Sequence, residues 1–214
     1  KKVLEIGSGT GSLLRRLKPS HGLGIDISSR MTAHAKKNRD KTIEFRTASI
    51  ADVKGLFDYI VISDVLGYSD DVEKMFRQAS RCLKAHGRLV VTQYSALWEP
   101  ILRLASFLKL RQPDFNQNWL SLSDLKNFGA LAGYEVVKDG TKMLMPLSIP
   151  LISAFLNRVL ANIWPFSKLG LFYFVVFRKA EKPSYGTPPS FSIIVPARNE
   201  AGTIEKIVNE LPDL

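Results

Sequence analysis

With 214 residues, the chain has room for one complete α/β domain, or for one domain and part of another, and not for two large ones. Hydrophobic residues make up 45% and charged residues 23%, which excludes collagen-like, disulfide-stapled and largely disordered chains. The 30 lysines and arginines exceed the 20 acidic residues by ten, and the excess lies before Lys179, where 26 basic side chains stand against 15 acidic ones. That field favours anionic partners, such as phosphorylated lipids, nucleic acids or a membrane surface, without choosing among them.

The lone cysteine, Cys82, can form neither an internal disulfide nor a thiolate metal cluster; packing must hold the fold, and a reducing compartment suits it. The chain opens on Lys1-Lys2-Val3, with neither methionine nor a charged-then-apolar leader. It reads as a piece of a longer protein without a signal peptide.

Apolar, β-branched runs at residues 2–6, 22–27, 42–47, 57–62 and 88–93, bounded by Gly, Asp, Ser or Asn, predict five parallel strands alternating with helices. A helix is expected over 12–17. Between the fourth and fifth strands, Val72, Met75, Phe76, Ala79 and Leu83 recur at helical spacing behind three capping candidates, Ser69, Asp70 and Asp71. Beyond Tyr94, residues 97–110 are apolar and helical, and Ser123-Asp124 starts a helix that ends near Gly133. Residues 134–138 and 171–178 complete a doubly wound, mostly parallel seven-stranded α/β sheet, its last strand antiparallel at or near an edge.

The apolar stretch 143–164 is interrupted by Pro146, Pro150 and Arg158, so it lacks the ~20 continuous apolar residues of a membrane span. It reads either as an insertion covering a substrate mouth or as a hairpin dipping into a membrane surface. Residues 179–190 (KAEKPSYGTPPS) have linker composition. Beyond that linker, residues 191–196 and 202–211 make one strand and one helix, too little for a core of their own. The second domain is read as truncated.

Chemistry concentrates first at Val3-Leu4-Glu5-Ile6-Gly7-Ser8-Gly9-Thr10-Gly11, a glycine-rich turn between a strand and a helix. It sits at the carboxyl end of the first strand, where open α/β sheets bind ligands. A dinucleotide fingerprint would need glycine where Ser12 stands, and no Gly-Lys-Ser/Thr follows, so pyrophosphate ligands are disfavoured. Asp26 ends the second strand 21 residues after Glu5, placed to accept hydrogen bonds from two vicinal ribose hydroxyls. Glu5 adds negative charge that would repel phosphates and suit an ammonium or sulfonium. The plainer alternatives are a helix cap for Asp26 and a structural acceptor for Glu5.

The run VLEIGSGTG, followed by GIDIS, FDYIVISDVLGY and LKAHGRLVVT, resembles the class I S-adenosylmethionine-dependent methyltransferases across residues 1–178. The resemblance implies a Rossmann-like methyltransferase fold and S-adenosylmethionine as cofactor. It also implies that Gly7, Ser8, Gly9 and Gly11 line the methionine part, that Asp26 holds the ribose, and that Ile27 and Met31 pack on the adenine. Ser49 and Ile50 stand where the family commonly has an acidic residue and its neighbour reading the adenine edge. Ser63 and Asp64, with Tyr68, lie where the family places groups beside the transferable methyl, and Asp64 is the candidate base. The segment lacks the Asn/Asp-Pro-Pro-aromatic tetrad of the nucleic-acid and amine branches, which counts against base methylation.

His21, His34 and His86 read as structural or surface residues, since none falls at a carboxyl strand end. Asn116, Asn118 and Trp119 could form a substrate-facing loop or an anchor at the start of the next helix, with Ser121 or Ser123 as its cap. In the tail, FSIIVPARNE resembles the opening of family-2 glycosyltransferases acting on polyprenyl-phosphate acceptors. That likeness implies nucleotide-sugar contacts from Pro196, Ala197 and Glu200, in a domain too incomplete to transfer sugar. The joint expectation is methylation of a small-molecule, glycan or polyprenyl-linked acceptor in the cytoplasm, at the inner membrane face. A nucleic-acid methyltransferase and a non-catalytic cofactor-binding scaffold are the alternatives.

Overall fold

A computed structural model describes residues 1–38, 40–109, 118–144 and 152–181, with isolated positions 202, 206 and 209 beyond them. The chain divides into two compact units, Lys1–Ala180 and Glu181–Leu214. Pro196, Ala197 and Glu200 lie outside the described residues, as does Asn116.

The first unit is built on one sheet of seven strands: β1 (Lys2–Ile6), β2 (His21–Asp26), β3 (Ile43–Thr47), β4 (Phe57–Ser63), β5 (Leu83–Tyr94), β6 (Tyr134–Lys142) and β7 (Phe172–Lys179). Their spatial order is β3-β2-β1-β4-β5-β7-β6. The first five are parallel, while β7 runs antiparallel between β5 and β6. The order reverses at β1, which pairs with β2 on one side and β4 on the other, and such a switch point opens a crevice at the carboxyl strand ends.

Alternation along the strands sorts their side chains between two layers. Leu4, Ile6, Leu23, Ile25, Ile60, Ile62, Leu89 and Val91 enter the larger core with Phe76 of helix α3 (Val72–Cys82) and Leu125 of helix α5 (Leu122–Leu131). Val3, Phe45 and Val61 face the other way, onto Leu14 of helix α1 (Ser12–Leu17) and Ala35 of helix α2 (Ser29–Lys37). Phe76 and Phe177 meet edge to face at 5.6 Å. Gly129 admits that ring to α5, because a Cβ there would lie 2.3 Å from Phe177.

Capping explains where the helices start. Asp71, one of three expected candidates, accepts the Lys74 N–H at 2.8 Å. For α5 the cap is Ser121, in a capping box with Asp124, so the helix begins earlier than Ser123. Helix α4 (Glu99–Phe107) follows a short turn at Ala96–Trp98, and helix α6 (Ile152–Arg158) lies in the insertion between β6 and β7. Among the described residues no helix is long and apolar enough to cross a membrane.

The fifth strand departs from expectation. His86 and Gly87, ahead of the expected start at residue 88, lie inside β5, and Leu83 opens that strand instead of ending the helical run before it. Leu83 is fully buried and pairs with Phe57; residues 84–87 of β5 then bulge opposite the single residue Asp58, and pairing resumes at Tyr59 and Arg88. The Asp58 carboxylate, at that bulge, accepts from Lys84 Nζ and from the Lys2 N–H, each at 2.7 Å.

Candidate active site

The glycine turn is fastened to β2 by backbone bonds. The N–H groups of Gly7 and Ser8 both donate to the Ile25 carbonyl, at 2.8 and 2.9 Å, and the Gly11 N–H closes the turn onto Ser8 at 2.8 Å. Gly7 has φ of +72°, and a Cβ there would fall 2.1 Å from Cγ2 of Val65, so the loop after β4 packs directly over it. Gly9, with φ of +51°, has nothing within 4 Å of a built Cβ: its backbone faces open space.

Asp26 reaches this turn from the tip of β2. Its Oδ2 accepts the Gly9 N–H at 2.8 Å and its Oδ1 accepts the Ser28 N–H at 2.8 Å. The side chain therefore clamps the loop rather than capping a helix, since Ser28 caps α2, and each oxygen still has a lone pair for a ligand hydroxyl. Beside it, Ile27 is 85% exposed and Met31 about half exposed, two apolar groups on the rim of the crevice.

Glu5 lies beneath the turn, 3% exposed, on the same sheet face as Val3. Helix α1 has no side-chain cap of its own and no acidic residue in its first turn. The Leu14 N–H donates to the Glu5 carboxylate and so supplies the helix with a partner from β1. Oε2 of Glu5 has no hydrogen-bond partner in the structure. Burial pushes this carboxyl up to about 7, the Leu14 N–H draws it back, and the Asp26 charge raises it further.

Ser49 caps the short turn Ile50–Asp52: its Oγ accepts the Ala51 N–H at 3.2 Å, and its own N–H donates to Asp52 at 3.1 Å. The expected adenine-reading hydroxyl is thus partly committed to the loop, and Ile50 is buried in the larger core. The Ala48 N–H donates to the Asp26 carbonyl at 3.1 Å and keeps this loop beside the β2 tip.

At the end of β4, Thr92 Oγ1 donates to Ser63 Oγ at 3.0 Å. Asp64 adopts φ of +54° and its N–H donates to the Thr92 carbonyl at 3.0 Å. Strain at a non-glycine residue here requires the surroundings to hold it, and β5 does so. Tyr68 is half exposed in the turn Leu66–Tyr68. The Asn118 N–H donates to the Gly67 carbonyl at 2.8 Å, so residues 118–120 adjoin the Asp64 loop. His21 begins β2 at its amino end and His34 lies on α2, both away from these loops.

Sequence reasoning missed one polar group. Gln93, near the carboxyl end of β5, is fully buried, and neither atom of its amide has a partner in the structure. The signal was its phase: Leu89 and Val91 place position 93 on the core face, where glutamine is costly unless something bonds to it.

Residues 1–139 match a family model described as a methyltransferase domain. The chain belongs to the class I S-adenosylmethionine-dependent methyltransferases. Among curated proteins it is 35% identical over 89 residues to an uncharacterized protein of Methanocaldococcus jannaschii, covering 41% of this chain and 42% of that protein. It is 30% identical over 105 residues to phosphoethanolamine N-methyltransferase 2 of Caenorhabditis elegans, covering 43% and 23%. The alignments thus span less than half the length of both relatives. An S-adenosylmethionine-dependent methyltransferase from Mesorhizobium loti superposes with a TM-score of 0.61 at 17% identity, over 83% of this chain and 90% of that one, a likeness of fold.

This methyltransferase fits its cofactor on its own geometry. The open face of Gly9, the spare lone pairs of Asp26 and the unpartnered Glu5 oxygen suit a hydroxyl-bearing, cationic ligand and oppose a polyphosphate.

Proposed function

We propose that this domain transfers a methyl group from S-adenosylmethionine to a small-molecule, glycan or lipid-linked acceptor. The observation that carries the reading is the convergence of two carboxylates, Glu5 and Asp26, on one glycine turn, with Glu5 Oε2 lacking a partner. Two neighbouring negative charges are costly unless a cation joins them.

In this reading Gly7, Ser8, Gly9 and Gly11 line the methionine part and Asp26 accepts from the ribose hydroxyls. Ile27 and Met31 flank the adenine, with Ser49 and Ile50 along its edge. The cofactor, when bound, supplies an activated methyl on a sulfonium. The chain must then align the acceptor with that methyl and exclude water. The β4 loop, fixed by Thr92, brings Ser63 and Asp64 beside the reacting centre. Asp64 would take the proton that a hydroxyl or amine acceptor gives up as its heteroatom bonds to the methyl carbon, the carbon–sulfur bond breaking to leave a neutral thioether.

The excess of 26 basic over 15 acidic residues before Lys179 supports an anionic acceptor, and one relative bears the name of an enzyme of a phosphorylated amine. The sequence of residues 191–200 supports a second domain of glycosyltransferase type, and with it a glycan or polyprenyl-linked acceptor. The test is label transfer from methyl-labelled S-adenosylmethionine into an extract separated into small-molecule, lipid, glycan and nucleic-acid fractions. Label in any of the first three supports the reading. Label confined to nucleic acid, or none despite cofactor binding, overturns it.

A further inference from the structure

Helix α4 turns an apolar stripe toward solvent. Leu97, Ile101, Leu104 and Leu108 succeed one another at steps of four, three and four residues, one helical face, and all are more than half exposed. Phe107 beside them is 81% exposed, and none of the described side chains between positions 97 and 109 is buried. An amphipathic helix in a globular domain normally lays such a stripe on the core. This one does not.

The insertion between β6 and β7 adjoins the start of that helix and exposes apolar groups of its own. Trp98 Nε1 donates to the Leu169 carbonyl at 2.8 Å and ties the start of α4 to the turn Phe166–Lys168. In the insertion Trp164 is 74% exposed, and Phe155 and Ile163 are about half exposed. A single exposed leucine needs no explanation, but a run of this length beside an insertion that exposes an indole marks an interaction region.

Charge says what meets it. Across residues 97–109 and 152–169 the basic side chains are Arg103, Lys109, Arg158 and Lys168, and the one acid is Glu99, which pairs with Arg103 at 2.5 Å. Two copies meeting through this face by a two-fold axis would set those cations against one another. An anionic bilayer surface instead accepts both the apolar stripe and its basic rim. Since no described helix can cross a bilayer, the contact is interfacial.

We propose that α4 and the insertion dock this domain onto an anionic lipid surface, with Leu104, Phe107 and Trp164 seated at headgroup level. Docking of this kind is independent of methyl transfer and can fail or hold without it.

Vesicle sedimentation of the full chain tests it, with phosphatidylcholine alone and mixed with phosphatidylglycerol. The full chain should partition about tenfold or more in favour of the mixed vesicles, with the preference falling as salt rises. The L104E/F107E double variant should bind the mixed vesicles about tenfold or more weakly, with an unchanged circular dichroism melt and unchanged S-adenosylmethionine affinity. Should that variant misfold, W164A/K168A replaces it with the same expectation. Equal partition into both vesicles, no partition of the wild type, or unchanged partition of the variant overturns the proposal. So does a wild-type dimer, seen by light scattering, that the same substitutions dissociate.

Discussion

Replacing Glu5 by glutamine isolates the electrostatics of the candidate site. The glutamine amide keeps an oxygen for the Leu14 N–H and nearly the same volume, and loses only the ionisation. The wild-type carboxyl is raised from 4.5 to about 7, which favours its protonated form by about 3 kcal/mol relative to the unfolded chain. The native state therefore binds more protons than the unfolded state between those two values, so stability falls as pH rises. The benefit is complete below pH 4.5, declines up to about 7 and is absent above it. Other carboxylates contribute in the opposite sense; Asp58 and Asp124, for example, are held below the usual carboxylate range by hydrogen bonds. They are common to both proteins and cancel in the difference. Urea unfolding of wild type and Glu5→Gln from pH 4 to pH 8 should show the variant gaining about 3 kcal/mol on the wild type across that window. Parallel curves would refute the claim that Glu5 is a buried, undercompensated carboxylate.

Three further outcomes are expected from the same contacts. Cofactor binding near pH 6.5 should release protons as a sulfonium or ammonium draws Glu5 into its ionised form, so calorimetry in two buffers of different ionisation enthalpy should give a net release that Glu5→Gln abolishes. Gln93→Leu should stabilise the domain by about 1–3 kcal/mol in urea, because it removes two buried amide atoms that have no partner. Gly7→Ala should destabilise by about 1–3 kcal/mol, since its Cβ would meet Val65 at 2.1 Å, and Val65→Ala should recover part of the loss, as a double-mutant cycle would measure.

Much of this could be read from the residues, and what could not has a physical cause. The parallel strands were legible because KVLEI, TIEFRT and FDYIVI are short β-branched runs, and an error of one residue at an end changes nothing. The start of β5 was not: LKAHG carries the punctuation of a turn, and only the pairing of Leu83 with Phe57 across 26 residues, with residues 84–87 bulging opposite Asp58, makes it strand. Ser49-x-x-Asp52 is a capping box in plain sequence, but the family likeness drew attention to the adenine edge instead. Asp26 and Glu5 were found by spacing from the glycines. Their structural duties, clamping Gly9 and receiving the Leu14 N–H, depend on which backbone amides the fold leaves unbonded, and no spacing shows that. Gln93 announced itself only through strand phase, which matters once the neighbouring core is known.

The most direct measurement is calorimetric titration of the chain with S-adenosylmethionine, S-adenosylhomocysteine and NAD, repeated on Asp26→Ala. Both adenosyl ligands should bind one per chain and NAD should not. Asp26→Ala should weaken them by roughly 5- to 150-fold, the equivalent of about 1–3 kcal/mol. Binding of NAD in their place, or an affinity that the substitution leaves unchanged, would contradict the account.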